Sequence, residues 1–240
     1  MWTENLLHKL GWLCLRLSGT GSCFDMDPPF LEIYNKCKDF TMTSAERMFA
    51  LYKSIEYIVK SDIPGDIVEC GVWQGGSSML CSYTLKKFNQ LNRNIYLYDT
   101  FSGMSMPTDR DVTYYNESAE KNIKHNKLDV SLEKVKNNIY LTDYPKDKIF
   151  FIKGKVEETI PQNIPGRIAL LRLDTDWYES TRHELLHLYP LLSHNGVLII
   201  DDYGHWKGAR EATDQYFQKN NIPILLNRID YTGRIGIKTQ

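Results

Sequence analysis

Two kinds of apolar spacing alternate along the chain. Short apolar runs lie within Asp66–Gly71, Asn94–Thr100, Lys148–Gly154, Ile168–Leu173 and Val197–Ile200, each closed by glycine or acid or by a turn. Runs this short, rich in Val, Ile and Leu, read as buried strands. Around them, apolar residues recur every three or four positions, the spacing of a helix with one face in a core. Met48, Leu51, Ile55 and Ile58 form one such stripe, opened by the capping-box pattern Thr43-Ser44-Ala45-Glu46 and stopped by Ile63-Pro64-Gly65. Ser77–Phe88 and Gly208–Asn221 predict two more helices, and Tyr178, Thr181, Leu185, Leu188 and Leu192 mark a crossover helix before the last of the runs. Ile224–Ile229 and Arg234–Lys238 flank Asp230-Tyr231-Thr232-Gly233 in the manner of an antiparallel hairpin. Alternating strands and helices predict an α/β fold around a parallel sheet.

Two stretches stand apart from this pattern. Residues 1–40 carry Leu6, Leu7, Leu10, Leu13 and Leu17 at roughly helical spacing, ended by Gly19-Thr20-Gly21-Ser22; Asp27-Pro28-Pro29 then reads as a linker. They are expected to form an N-terminal helical extension to one domain over 41–240. Within that domain, 101–145 loses apolar periodicity, except for a polar helical segment near Glu117–Asn137. A long insertion after a strand's carboxyl end reads either as a lid over a site or as a solvated excursion.

Composition narrows the function. The 240 residues suffice for one domain with a real core, and a net charge of −1 gives no field to recruit nucleic acid or an anionic membrane. No apolar run approaches the ~20 residues of a membrane span. The leucine-bearing N-terminus is not basic enough to favour a membrane surface, and it lacks the charge and apolar pattern of a signal peptide. The five cysteines are scattered without a C-x-x-C pair, which fits a reduced, cytoplasmic protein.

Chemistry concentrates where the runs end. Asp174 and Asp176 follow one run, Asp201 and Asp202 the next, and a strand–helix–strand unit brings both ends to one sheet edge. Four carboxylates there repel one another unless a cation or a proton intervenes. Asp174, Asp201 and Asp202 offer hard oxygen donors, suited to Mg²⁺, Ca²⁺ or Mn²⁺ rather than zinc. Asp176 is the candidate general base, with His205 second. Upstream, Glu69-x-Gly71-x-x-x-Gly75-Gly76-Ser77 follows a strand and opens a helix, where glycine lets a ligand approach backbone N–H groups. Asp99, closing the next strand, reads either as a ribose acceptor or as a simple turn residue. His183-Glu184-Leu185-Leu186-His187 matches the zinc-protease pattern H-E-x-x-H. Helical phasing sets both histidines opposite Leu185 and turns them toward solvent, so no zinc site is expected.

Five segments in order, DIVECGVWQGGSS, YLYDTFSGM, GKVEETIP, IALLRLDTDWYESTRHELLHLYPLL and GVLIIDDYGHWKGAREATDQYF, resemble the macrocin O-methyltransferase family from about Thr41 to Lys238. The resemblance implies a class I methyltransferase, Rossmann-like, with a seven-stranded mostly parallel sheet, a C-terminal antiparallel hairpin and helices on both faces. It implies S-adenosylmethionine and a divalent metal such as Mg²⁺, used to methylate a hydroxyl of a sugar-bearing small molecule, in a homo-oligomer. Glu69, Gly71, Gly75 and Ser77 would then surround the methionine end of the cofactor, Asp99 its ribose, and Val156 and Glu157 its adenine. Asp174 would border both cofactor and metal, with Asp201 and Asp202 completing the metal site and Asp176 as base. Catechol-type relatives carry a lysine just after the first metal acid; Thr175, Asp176 and Trp177 stand here, which weakens a phenolic acceptor. A non-catalytic cofactor-binding module leaves four converging acids without a purpose.

Overall fold

The five apolar runs form the parallel part of a seven-stranded sheet. The computed structural model describes residues 25–120 and 128–239. In chain order its elements are α1 Pro28–Cys37, α2 Ala45–Lys60, β1 Asp66–Cys70, α3 Gly76–Lys87, β2 Ile95–Asp99, α4 Leu132–Tyr140 and β3 Ile149–Lys153. There follow α5 Val156–Thr159, β4 Ile168–Leu173, α6 Tyr178–Leu188, β5 Leu192–Ile200, α7 Lys207–Lys219, β6 Asn227–Arg228 and β7 Arg234–Ile237. The strand order is β3-β2-β1-β4-β5-β7-β6, with β7 antiparallel to both β5 and β6.

Strand periodicity divides the core in two. Ile67, Leu97, Leu170, Val197 and Ile199 face one cluster with Met48, Leu51 and Ile55 of α2 and Leu80 and Leu85 of α3. The alternate residues Val68, Tyr98, Leu171, Leu198 and Ile200 face a second cluster with Leu185 and Leu188 of α6 and Phe217 of α7. Both sheet faces are therefore covered, as the unbroken apolar runs require. Among the described residues, Cys37, Cys70 and Cys81 are buried free thiols, and no helix is long and apolar enough to cross a membrane.

Several local readings change. Pro28 and Pro29 are not a linker but the first turn of α1, where a missing N–H costs nothing; Phe30, Ile33 and Cys37 bury that helix. The cap of α2 is Ser44, accepting from Arg47 N–H at 3.2 Å. Thr43 is engaged elsewhere, its Oγ1 accepting from Arg172 Nη2 at 3.0 Å. β5 starts at Leu192, five residues ahead of the apolar run, through the polar Ser193-His194-Asn195. The penultimate strand shrinks to Asn227–Arg228. Of the polar helical segment, Leu132–Tyr140 is helical with Ser131 as its cap, while 121–127 lie outside the described residues. The N-terminal leucine stripe lies outside them too.

The described start of the insertion is docked against the domain. Asp111 is buried and accepts from the backbone N–H of Tyr178, the first residue of α6, at 2.8 Å. A carboxylate there meets the positive end of the helix dipole. Tyr114 N–H donates to His205 O and Lys207 N–H to Val112 O, both at 2.9 Å. Trp177, Trp206, Ala119 and Ala209 pack into a small apolar cluster beneath.

Candidate active site

A cavity of about 510 Å³ opens at the carboxyl ends of β1, β2, β4 and β5. Its two halves are built differently. On the β1 side, Gly71 adopts φ +83°, and a Cβ there would lie 1.9 Å from the Asp174 carbonyl oxygen. Gly71 is thus required by the close approach of the β1 and β4 ends, which also share a 2.8 Å hydrogen bond from Asp174 N–H to Cys70 O. Asp99 closes β2 and accepts from the Val72, Trp73 and Phe101 N–H groups at 2.7, 3.1 and 2.6 Å. It is first of all the organiser of the glycine turn, with its carboxylate lining the cavity. Ser77, Val156 and Glu157 also line the cavity. Glu69 and Gly75 do not. Gly75 lies at the start of α3 with φ +91°, close to Ile139 of α4.

Glu69 stands behind the wall. It is paired in register with Arg172 of β4, and Arg172 Nη1 meets its Oε1 at 2.7 Å; Ser78 Oγ donates to its other oxygen. Burial raises its pKa to about 7 in spite of that arginine.

On the β4–β5 side the predicted acids converge. Asp174, Asp201 and Asp202 each place an oxygen within 4.8 Å of the others. Asp176 joins them from a left-handed backbone, φ +67°, its N–H donating to Asp202 Oδ2 at 3.2 Å and its Oδ1 accepting from Trp206 Nε1 at 2.6 Å. A non-glycine residue held there is strained and persists because its surroundings fix it. Withdrawal from water, then the neighbouring Asp174 charge, lifts the Asp176 carboxyl to about 7. Asp202 is pushed well above the ordinary range by burial and by Asp176 and Asp174, and it forms no ion pair among the described residues.

Two arginines that the spacing of acids did not reveal already offset part of this charge. Arg172 is buried and meets Asp174 Oδ2 and Asp201 Oδ1, each at 2.8 Å. Arg47, from the first turn of α2, pairs with Asp201 and with Asp230 of the hairpin, the latter at 3.0 Å. A lone charge inside the run IALLRL was the signal for Arg172; Arg47 had none, since its partner lies 154 positions away. His205 lines the cavity, packed edge-on against Trp206 at 4.7 Å between centroids; burial and Arg47 lower its pKa.

The three-acid set still fits a hard cation. Its donors are all oxygen, and Asp202 has carboxylate neighbours but forms no ion pair among the described residues. The histidine pair does not fit zinc: among the described residues it joins no converging group of three metal-capable side chains. Nor does it face solvent fully. His183 and His187 are half-buried with rings 4.4 Å apart, and His183 Nε2 reaches Ile160 O at 3.0 Å across the α5–β4 connection.

A parallel sheet closed by an antiparallel hairpin, with a glycine turn and an acid at neighbouring strand ends, is the class I Rossmann-like methyltransferase architecture. The chain belongs to the macrocin-O-methyltransferase (TylF) family, whose sequence model matches residues 35–235, and it is an O-methyltransferase. The match begins inside α1, ahead of the motifs at Thr41. The 8-demethyl-8-(2,3-dimethoxy-alpha-L-rhamnosyl)-tetracenomycin-C 4'-O-methyltransferase of Streptomyces olivaceus is 34% identical over 215 residues, 87% of this chain and 79% of that protein. The mycinamicin III 3''-O-methyltransferase of Micromonospora griseorubida is 33% identical, over 80% of this chain and 76% of its own. The solved structure of the O-methyltransferase NovP aligns with a TM-score of 0.75 at 30% identity, covering 84% of this chain and 83% of its own.

Proposed function

We propose that the chain methylates a hydroxyl of a sugar or glycosylated small molecule, using S-adenosylmethionine and a divalent cation. The setting of Asp176 carries this reading: a carboxyl locked by Trp206 and Asp202, raised to about 7, beside an oxygen-only donor set. Asp174, Asp201 and Asp202 would hold the cation. The glycine turn, Asp99 and Val156 would border the methyl donor. When bound, these groups supply a methyl activated on sulfonium and a Lewis acid toward the acceptor oxygen. Asp176 takes up the proton that the acceptor hydroxyl releases, while Trp206 Nε1 keeps the carboxyl oriented. Arg172 and Arg47 hold the acids in place against their mutual repulsion. Sugar derivatives of natural products are the acceptors named for the relatives, and that class is the one adopted here.

The test is methyl transfer to a panel of glycosides and simple phenols, after chelation and again with Mg²⁺ restored. Turnover of glycosides, lost on chelation and recovered with Mg²⁺, is expected. Undiminished activity in chelator sinks the metal assignment, and transfer to phenols alone sinks the sugar assignment.

A further inference from the structure

Glu184, the central acid of the H-E-x-x-H stretch, has no part in the scheme above, yet it is fully buried in α6. It forms no ion pair among the described residues. Its two oxygens lie 3.0 and 3.2 Å from Thr175 Oγ1, which donates to them. The charged groups that face it, Glu157 from α5 and Asp174 from the end of β4, are both acids. Burial and these acids keep it protonated well above the usual carboxylate range. A protonated carboxyl offers one donor and one acceptor edge, enough to exchange hydrogen bonds with a threonine hydroxyl.

That partner occupies a telling place. Thr175 separates Asp174 from Asp176, in the turn that forces Asp176 into the left-handed region. Glu184 therefore fastens that turn to α6. A buried acid with no cation is also a cost that a leucine of similar size would avoid.

We propose that Glu184 is a positioning residue for methyl transfer: through Thr175 it fixes the turn presenting Asp174 and Asp176. The proposal rests on the reading of Asp174 and Asp176 as acids of the reacting site.

Four variants test it, Glu184→Gln, Glu184→Leu, Thr175→Val and Asp176→Asn, each assayed for kcat, KM, donor affinity by calorimetry and thermal midpoint. Glu184→Gln keeps both hydrogen-bonding edges and is expected to stay within about threefold of wild type in kcat. Glu184→Leu and Thr175→Val are expected to lower kcat roughly 10- to 100-fold, the scale of a small misplacement, with donor affinity nearly unchanged. Glu184→Leu should melt no lower than wild type, so that activity and stability move apart as a purely structural role would not allow. The proposal is overturned if both hydrogen-bond-deleting variants keep kcat within threefold, or if Gln is as poor as Leu. Should Glu184→Leu fail to fold, Thr175→Val decides by the same criterion. Full turnover by Asp176→Asn would instead refute the underlying reading of the acids, whatever the Glu184 variants do.

Discussion

The two halves of the cavity carry the same residue type under opposite conditions. On the β1–β2 side, Asp99 is held by three backbone N–H groups. On the β4–β5 side, Asp176 and Asp202 are neighbours of each other and of Asp174, and their carboxyls are pushed toward the protonated form. A half whose acids are satisfied is already in its working shape and suits recognition of a large rigid ligand. A half whose acids oppose one another suits the cation and the proton acceptor proposed above.

The largest effect should come from the strained half. Asp176→Asn removes the proposed proton acceptor but keeps the contact to Trp206, so kcat should fall about 10²- to 10⁴-fold while calorimetry finds the donor bound as before. An active Asn variant would pass the role to His205 and erase the contrast. Next is the seam between the halves. Gly71→Ala sets a methyl 1.9 Å from the Asp174 carbonyl at φ +83°, and denaturant titration should show a loss of roughly 3–5 kcal/mol.

A pH series sharpens the comparison further. Glu69 binds its proton more tightly folded than unfolded, its pKa rising from 4.5 to about 7. The stability this contributes is complete below 4.5 and is lost as pH climbs through about 7. Cation-free protein should therefore weaken over that window, with the Glu69 share on the order of 3 kcal/mol. Glu69→Gln should flatten the curve by that share; an unchanged slope in urea midpoints would show that Arg172 keeps Glu69 ionised. The smallest effect belongs to the satisfied acid. Asp99→Asn keeps an acceptor for the turn and should cost about 1 kcal/mol of stability.

Most of the fold could be read from the chain because parallel strands are buried on both faces and so appear as unbroken apolar runs. Where polarity interrupts a strand, as at Ser193-His194-Asn195, the boundary was lost. The acids Asp174, Asp176, Asp201 and Asp202 were legible because a strand end fixes where its next residues lie. Their partners were not. Arg172 was absorbed into an apolar run, and Arg47, Asp111 and Trp206 reach the site through long-range packing that leaves no local pattern. Pro28-Pro29 shows the other limit, since the same pair opens helices and breaks them.

The anchoring of the insertion bears on how this enzyme can be rebuilt. A Cβ at Gly208 would lie 2.2 Å from Asp111 Oδ1, the oxygen that also accepts from the first peptide of α6. The excursion after β2 and the start of α7 are thus a lock and its keyhole rather than interchangeable parts. Grafting a foreign excursion here succeeds only when an acid at 111 and a glycine at 208 travel together.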